Sequence, residues 1–113
     1  MMLIIFKTTK LKKEMNEERL MVKKHGNQRA RLLKQRLAEL RAANRLEDLR
    51  NLPQARCHEL KHDRKGQLSV DLDGPYRLLF QPENNPIPKK PDGGLDWAGV
   101  TEIMILGVED THE

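Results

Sequence analysis

The spacing of apolar residues changes twice along the chain, and the changes predict a strand, a helical segment and then a set of strands. "LIIF", Leu3 to Phe6, is a short apolar run of the kind that forms a buried strand. From Leu11 the spacing turns helical, with Leu11 and Met15 four apart. Asn16 is placed to cap a new turn, and Glu17 and Glu18 suit the positive end of a helix dipole. Lys23, Lys24 and His25 crowd the other end, and Gly26 can take the left-handed position that stops it. These signals predict a helix over 17–25. Ala30, Leu33, Leu37 and Leu40 then mark one face of a longer helix from Asn27 through Asn44. The two helices predict a hairpin with a short turn. "LEDLRNL" adds a last turn with Leu46 and Leu49 inward, stopped by Pro53.

Beyond Pro53 the period falls to two. In "LSVDLD", Leu68, Val70 and Leu72 alternate with Ser69, Asp71 and Asp73. Asp73-Gly74 is a hairpin signal. "PYRLLF" returns with Tyr76, Leu78 and Phe80 on one side and Arg77 on the other. "RCHEL" predicts a further strand ahead of this pair. Residues Pro82 to Ala98 contain four prolines and predict a long irregular loop, with Trp97 as its anchor. "VTEIMILGV" has the near-continuous apolar character of a central strand. The expected architecture is α+β: an N-terminal strand, a helical hairpin and an antiparallel β-meander, in one domain spanning residues 1–113.

Charge adds a second layer. The formal net charge is +4. Residues 1–50 hold 14 Lys/Arg against 6 Asp/Glu, and the rest hold 7 against 11, so +8 and −4 combine to +4. A basic half of this kind suits an anionic partner such as nucleic acid or an acidic protein surface, or is simply a solvated helix face. No window approaches the ~18 apolar residues of a membrane span. The single cysteine, Cys57, cannot close an intrachain disulfide, which points to a reducing, cytoplasmic setting.

The candidate chemistry gathers in "RCHELKHDRKG", Arg56 to Gly66, and in the terminal "EDTHE". Cys57, His58, His62 and His112 are metal-ligand types, but their spacing matches no structural zinc site, so no metal or other cofactor is expected. Cys57 beside an apolar strand reads as a small core residue rather than a nucleophile. Neither a G-x-S-x-G elbow nor a glycine-rich phosphate loop is present. Metal-free RNA cleavage needs a base for the 2′-hydroxyl, cations for the phosphate and an acid for the 5′-oxygen. His58, Lys61, Arg64, Arg77, Asp110 and His112 supply these group types, although small basic domains with a few histidines are common.

The stretch "LPQARCHELKHDRKGQLSVDLDGPYRLLF" with the terminal "VEDTHE" resembles the RelE/ParE toxin superfamily, most closely its HigB-type killer toxins. Members show L-x-G-D-R-x-G-x-x-S-V, a Tyr-Arg strand and a terminal E-D-Y-H. The matching residues are Leu60, Asp63, Arg64, Gly66, Ser69, Val70, Tyr76, Arg77, Glu109, Asp110 and His112. The resemblance implies a ribosome-dependent mRNA endoribonuclease of a type II toxin–antitoxin system, acting by 2′-hydroxyl attack. It also implies a helix-turn-helix antitoxin of the HigA type, and binding to operator DNA only as the toxin–antitoxin complex. It implies catalytic roles for His58, Asp110 and His112, and phosphate or substrate contacts for Lys61, Arg64 and Arg77.

Two positions depart from the pattern. Thr111 stands where the terminal tyrosine is usual, and threonine can neither stack on a base nor act as a phenolic acid. His62 stands where glycine is usual, which adds strain if the turn needs a positive φ. The first departure keeps open an alternative, a catalytically impaired relative that works as antitoxin partner or co-repressor. A plain nucleic-acid-binding α+β module is the third option.

Overall fold

The computed structural model describes residues 1–111. Five strands form one mixed sheet in the order β1-β5-β4-β3-β2, with β1 Leu3–Phe6, β2 His58–Glu59, β3 Leu68–Asp71, β4 Tyr76–Pro82 and β5 Glu102–Asp110. Every pairing is antiparallel except β1 with β5. Two helices, α1 Thr9–Asn16 and α2 Glu18–Ala42, stand between β1 and the rest of the sheet in chain order. The α+β class and the order of elements are those expected from the hydrophobic pattern.

Helix α2 is two limbs joined at Gly26, whose φ of 82° no other residue adopts cheaply. Lys34 Nζ meets Glu18 Oε1 at 2.5 Å, and Arg41 donates to Asn16 Oδ1 at 3.1 Å. Glu18 and Lys34 flank Gly26 at equal sequence distance, so the contact requires the chain to double back there. This is the helical hairpin. Ala30, Leu33, Leu37 and Leu40 are all buried and pack in one cluster with Leu68, Val70, Leu78, Phe80, Ile103 and Ile105 of the sheet.

Strand β1 differs from expectation. It lies at the sheet edge rather than in the interior, and Leu3 and Ile5 are exposed on the face away from the helices while Ile4 and Phe6 pack on the core. Strand pleating sends successive side chains to opposite faces, and only one face of this sheet is covered by helices. "RCHEL" is also shorter as a strand than expected. Arg56 takes a left-handed conformation with φ 44°, so pairing begins only at His58 and stops after Glu59. A bulge between Leu79 and Phe80 shifts the β4–β5 register, opposite Gly107 at φ 140°.

The proline-rich loop is held by Trp97. Its indole N–H donates to Glu59 Oε2 at 3.0 Å, and the Arg50 guanidinium lies 3.9 Å over its ring. No helix among the described residues is long and apolar enough to cross a membrane.

Candidate active site

The register sorts the strand residues into two faces. Val70, Leu78 and Val108 pair across three strands toward the helices. One residue further along each strand, Asp71, Arg77 and Glu109 pair on the outer face. Two residues back on that outer face lie His58, Ser69, Leu79 and Gly107. The outer face therefore carries a charged row beside a row that starts with His58, about 7 Å away along the strands.

The charged row is tied together. Arg56 Nε donates to Asp71 Oδ2 at 2.8 Å. Arg77 Nε lies 2.9 Å from Asp71 Oδ1, close enough for an ion pair but not aligned as a hydrogen bond. Arg77 also donates to the carbonyls of Gly74 and Tyr76, both at 2.8 Å, which fixes its fork at the hairpin tip. Arg64 donates to Glu109 Oε1 at 2.6 Å. Arg64 belongs to the turn after β2 and Glu109 to β5, so this bond needs the turn to fold over β3 and β4. Leu60 is buried at the start of that turn, and Ser69 and Leu79 beneath are fully buried. The result is a face on which Arg64 and Arg77 converge on neighbouring carboxylates.

His58 has a defined tautomer. Its Nδ1 lies 3.0 Å from the carbonyl oxygen of Arg56. A carbonyl only accepts, so Nδ1–H donates and the neutral ring leaves Nε2 unprotonated. Ser69, its partner on β3, has a buried hydroxyl without a hydrogen-bond partner among the described residues. Behind the row, buried Arg36 of α2 donates to the carbonyls of Asp71 at 2.7 Å and Gln54 at 3.0 Å, and pairs with Glu39 at 3.1 Å. It ties the end of β3 to the turn that carries Arg56.

The other expected site residues are spread more widely. Lys61 lines a shallow depression with Glu59, Leu60, His62, Lys65 and Gly66, beyond the Glu59–Leu68 pair and so at the other end of β3 from the Asp71–Arg77 pair. Asp110 pairs in register with Tyr76 and so belongs to the helix-side face, three strands and about 14 Å across from His58. Asp110 and His58 therefore lie on opposite faces of the sheet, because pleating alternates Glu109 and Asp110 between faces. His112 lies outside the described residues. Thr111 is buried, and its amide donates to the Pro75 carbonyl at 3.1 Å beside the hairpin tip. His62 does adopt a positive φ, 59°, at the position where glycine is usual.

Burial pushes the Cys57 thiol up to about 12, so it is not a thiolate at neutral pH. Among the described residues no three His, Cys, Asp or Glu side chains gather as a metal site. Asp71, Glu109 and Arg56 were not singled out as site residues by sequence. The signal for Asp71 was present, because the Asp73-Gly74 turn fixes the register that sets it opposite Arg77. No pattern signals the left-handed turn at Arg56.

Comparison with known families decides the class. The family model described as the RelE-like toxin of type II toxin-antitoxin system HigB matches residues 5–90. The chain belongs to the HigB-like family of RelE-like toxins. It is thus a toxin of a type II toxin–antitoxin system, and an antitoxin partner is implied. No curated relative matches the chain. The span matched in this HigB-like toxin includes His58, Lys61, Arg64 and Arg77 and ends before Glu109, Asp110 and Thr111.

Proposed function

We propose that the outer face cleaves messenger RNA on the ribosome, without a metal, by attack of the 2′-hydroxyl on the adjacent phosphate. The observation that carries this reading is the convergence of Arg64 and Arg77 on one face, one pleat row from a histidine with a free Nε2. In this reading His58 Nε2 takes the 2′-hydroxyl proton. The scissile phosphate enters the charged row and replaces Asp71 and Glu109 as the partner of Arg77 and Arg64. A guanidinium donates two parallel hydrogen bonds to phosphate as well as to carboxylate, so the exchange preserves its geometry. The carboxylates keep the arginines placed before substrate arrives. The acid that protonates the 5′-oxygen is His112, on the sequence argument. Asp110 acts with it from the terminal strand rather than with His58. The expected partners are ribosome-bound message and a helix-turn-helix antitoxin of the HigA type, with operator DNA bound only through the complex.

The test is a reconstituted translation reaction with a defined message. The protein is expected to stop elongation and leave 2′,3′-cyclic phosphate ends. His58→Ala is expected to slow cleavage by about 10²–10⁴-fold, the usual worth of a general base. Products with 3′-hydroxyl ends, or full activity in His58→Ala, would sink the mechanism.

Thr111 supports a second reading, an impaired toxin that mainly binds its antitoxin. Its side chain is buried and offers no ring to a base. If only the Thr111→Tyr form cuts message or arrests growth, the binding role is the native one.

A further inference from the structure

At the other end of β3 from the charged row lie two adjoining depressions that the proposed chemistry does not use. The first is lined by Lys61, His62 and Lys65. The second, about 380 Å³, opens between the turn and the proline-rich loop. Glu59, Lys65 and Gly66 line both, so the two share a wall and adjoin. Gln67 and Gln81 line the second, Ile87 and Leu95 supply apolar surface, and Lys89 adds a further ammonium. The ammonium groups of Lys61, Lys65 and Lys89 have no ion-pair partner among the described residues. Glu59, the acid between them, is held by the Trp97 indole N–H. Gln67 Oε1 is buried without a hydrogen-bond partner.

We propose that these depressions form a nucleotide subsite, in which Lys61 and Lys65 hold a backbone phosphate and the pocket of Gln67, Gln81 and Ile87 takes a base. The proposal rests on the RNA-cleaving reading, because the nucleotide belongs to the same strand as the scissile phosphate. The chemistry of the lining selects this ligand. Three ammonium groups against the one carboxylate of Glu59 leave a net positive lining that favours a polyanion. Two carboxamides offer the donor–acceptor pairs that recognise base edges, and rotation of the Gln67 amide exchanges its buried oxygen for a donor. Ile87, 36% exposed, gives a base an apolar surface to cover. The volume admits one base, not a duplex. The site explains why Lys61 stands away from Arg77: it contacts a phosphate flanking the cut, not the one being cut. It makes the subsite a determinant of which nucleotide lies beside the cleavage point.

The test measures binding of an uncleavable 2′-O-methyl hexaribonucleotide to the full chain, and in parallel maps cleavage positions on translated message. In Lys65→Gln/Lys89→Gln, the oligonucleotide is expected to bind at least about fivefold more weakly, with a salt slope shallower by about 1.4. Gln81→Leu is expected to change the preferred nucleotide beside the cut, and Ile87→Trp to tighten binding by stacking. Inorganic phosphate is expected to compete only weakly. Unchanged affinity and unchanged cleavage positions in all three variants would overturn the subsite even if the wild type cuts message. Competition by phosphate as strong as by the oligonucleotide would overturn the base pocket. A wild type that cuts nothing, with variants that still lose oligonucleotide binding, would keep the subsite and remove the nuclease reading. A wild type that does not bind the oligonucleotide would overturn the subsite outright.

Discussion

Leu78 and Arg77 are neighbours on β4, and they belong to different chemistries. Leu78 is fully buried between the helices and the sheet, where its value is apolar area removed from water. Arg77 points to the outer face, where it shares Asp71 with Arg56 and hydrogen-bonds the hairpin tip. The same backbone supports both because the pleat alternates at every residue. One face is built for stability and the other holds a row of paired charges.

The largest expected effects come from breaking each face separately. Leu78→Ala should cost about 2–5 kcal/mol of unfolding free energy, read by denaturant titration. Arg77→Ala should cost about 1 kcal/mol of stability, yet slow message cleavage by about 10²-fold or more through loss of a preorganised phosphate donor. Equal stability losses, or an unchanged cleavage rate in Arg77→Ala, would erase the distinction between the faces.

Arg36 joins the two faces. Its replacement by Met leaves the Asp71 and Gln54 carbonyls and the Glu39 carboxylate without their buried donor. A loss of about 3 kcal/mol is expected. Cleavage at a temperature where the variant is still folded should also fall, since Arg56 and hence the His58 tautomer lose their support. A stability loss with unimpaired cleavage would limit Arg36 to the core.

A smaller effect concerns pH. Burial raises the Glu14 carboxyl, but hydrogen bonds from His25 and Lys24 outweigh it and hold the group below the ordinary carboxylate range. A lowered folded value contributes stability that is fully present above the unfolded value, about 4.3, and is lost as pH falls through the folded one. Glu14→Gln should therefore lose about 1 kcal/mol at pH 7, and the gap to wild type should narrow as pH falls below the unfolded value and close once it passes the lowered folded one. A gap that does not narrow at all as pH falls through the acid range would assign the loss to packing instead.

The smallest effect sits in the turn that covers the outer face. His62→Gly removes a left-handed cost of about 1–2 kcal/mol, but adds chain entropy of about 0.5–1 kcal/mol. A net gain of about 0.5 kcal/mol is expected from these two principles, measurable as a small rise in Tm. A loss would show that the imidazole makes contacts that matter more than the backbone strain.

Much of this was legible before any coordinates. The helical spacing of Ala30, Leu33, Leu37 and Leu40, the stop at Gly26 and the Asp73-Gly74 hairpin each state a local rule that the structure obeys. His58, Arg64 and Arg77 could be named because their residue types and the family motif agree. The edge position of β1 was not legible, since an apolar run reads the same whether one or two neighbours pair with it. Nor was the placement of Lys61 at the other end of β3 from Arg77.

The sequence by itself determined the elements, the hairpin register and the set of groups available for chemistry. These follow from short-range periodicity and turn geometry, which a few consecutive residues carry. Tertiary structure alone decided which of those groups meet. Arg64 reaches Glu109 only because a turn folds over two strands, and Asp110 leaves the row of Arg77 because pairing with Tyr76 fixes its face. The Arg56 carbonyl meets His58 Nδ1 at 3.0 Å, and a buried arginine from a distant helix ties the end of β3 to the turn before Arg56. Such contacts join residues far apart in the chain, and no local pattern encodes the distance between them.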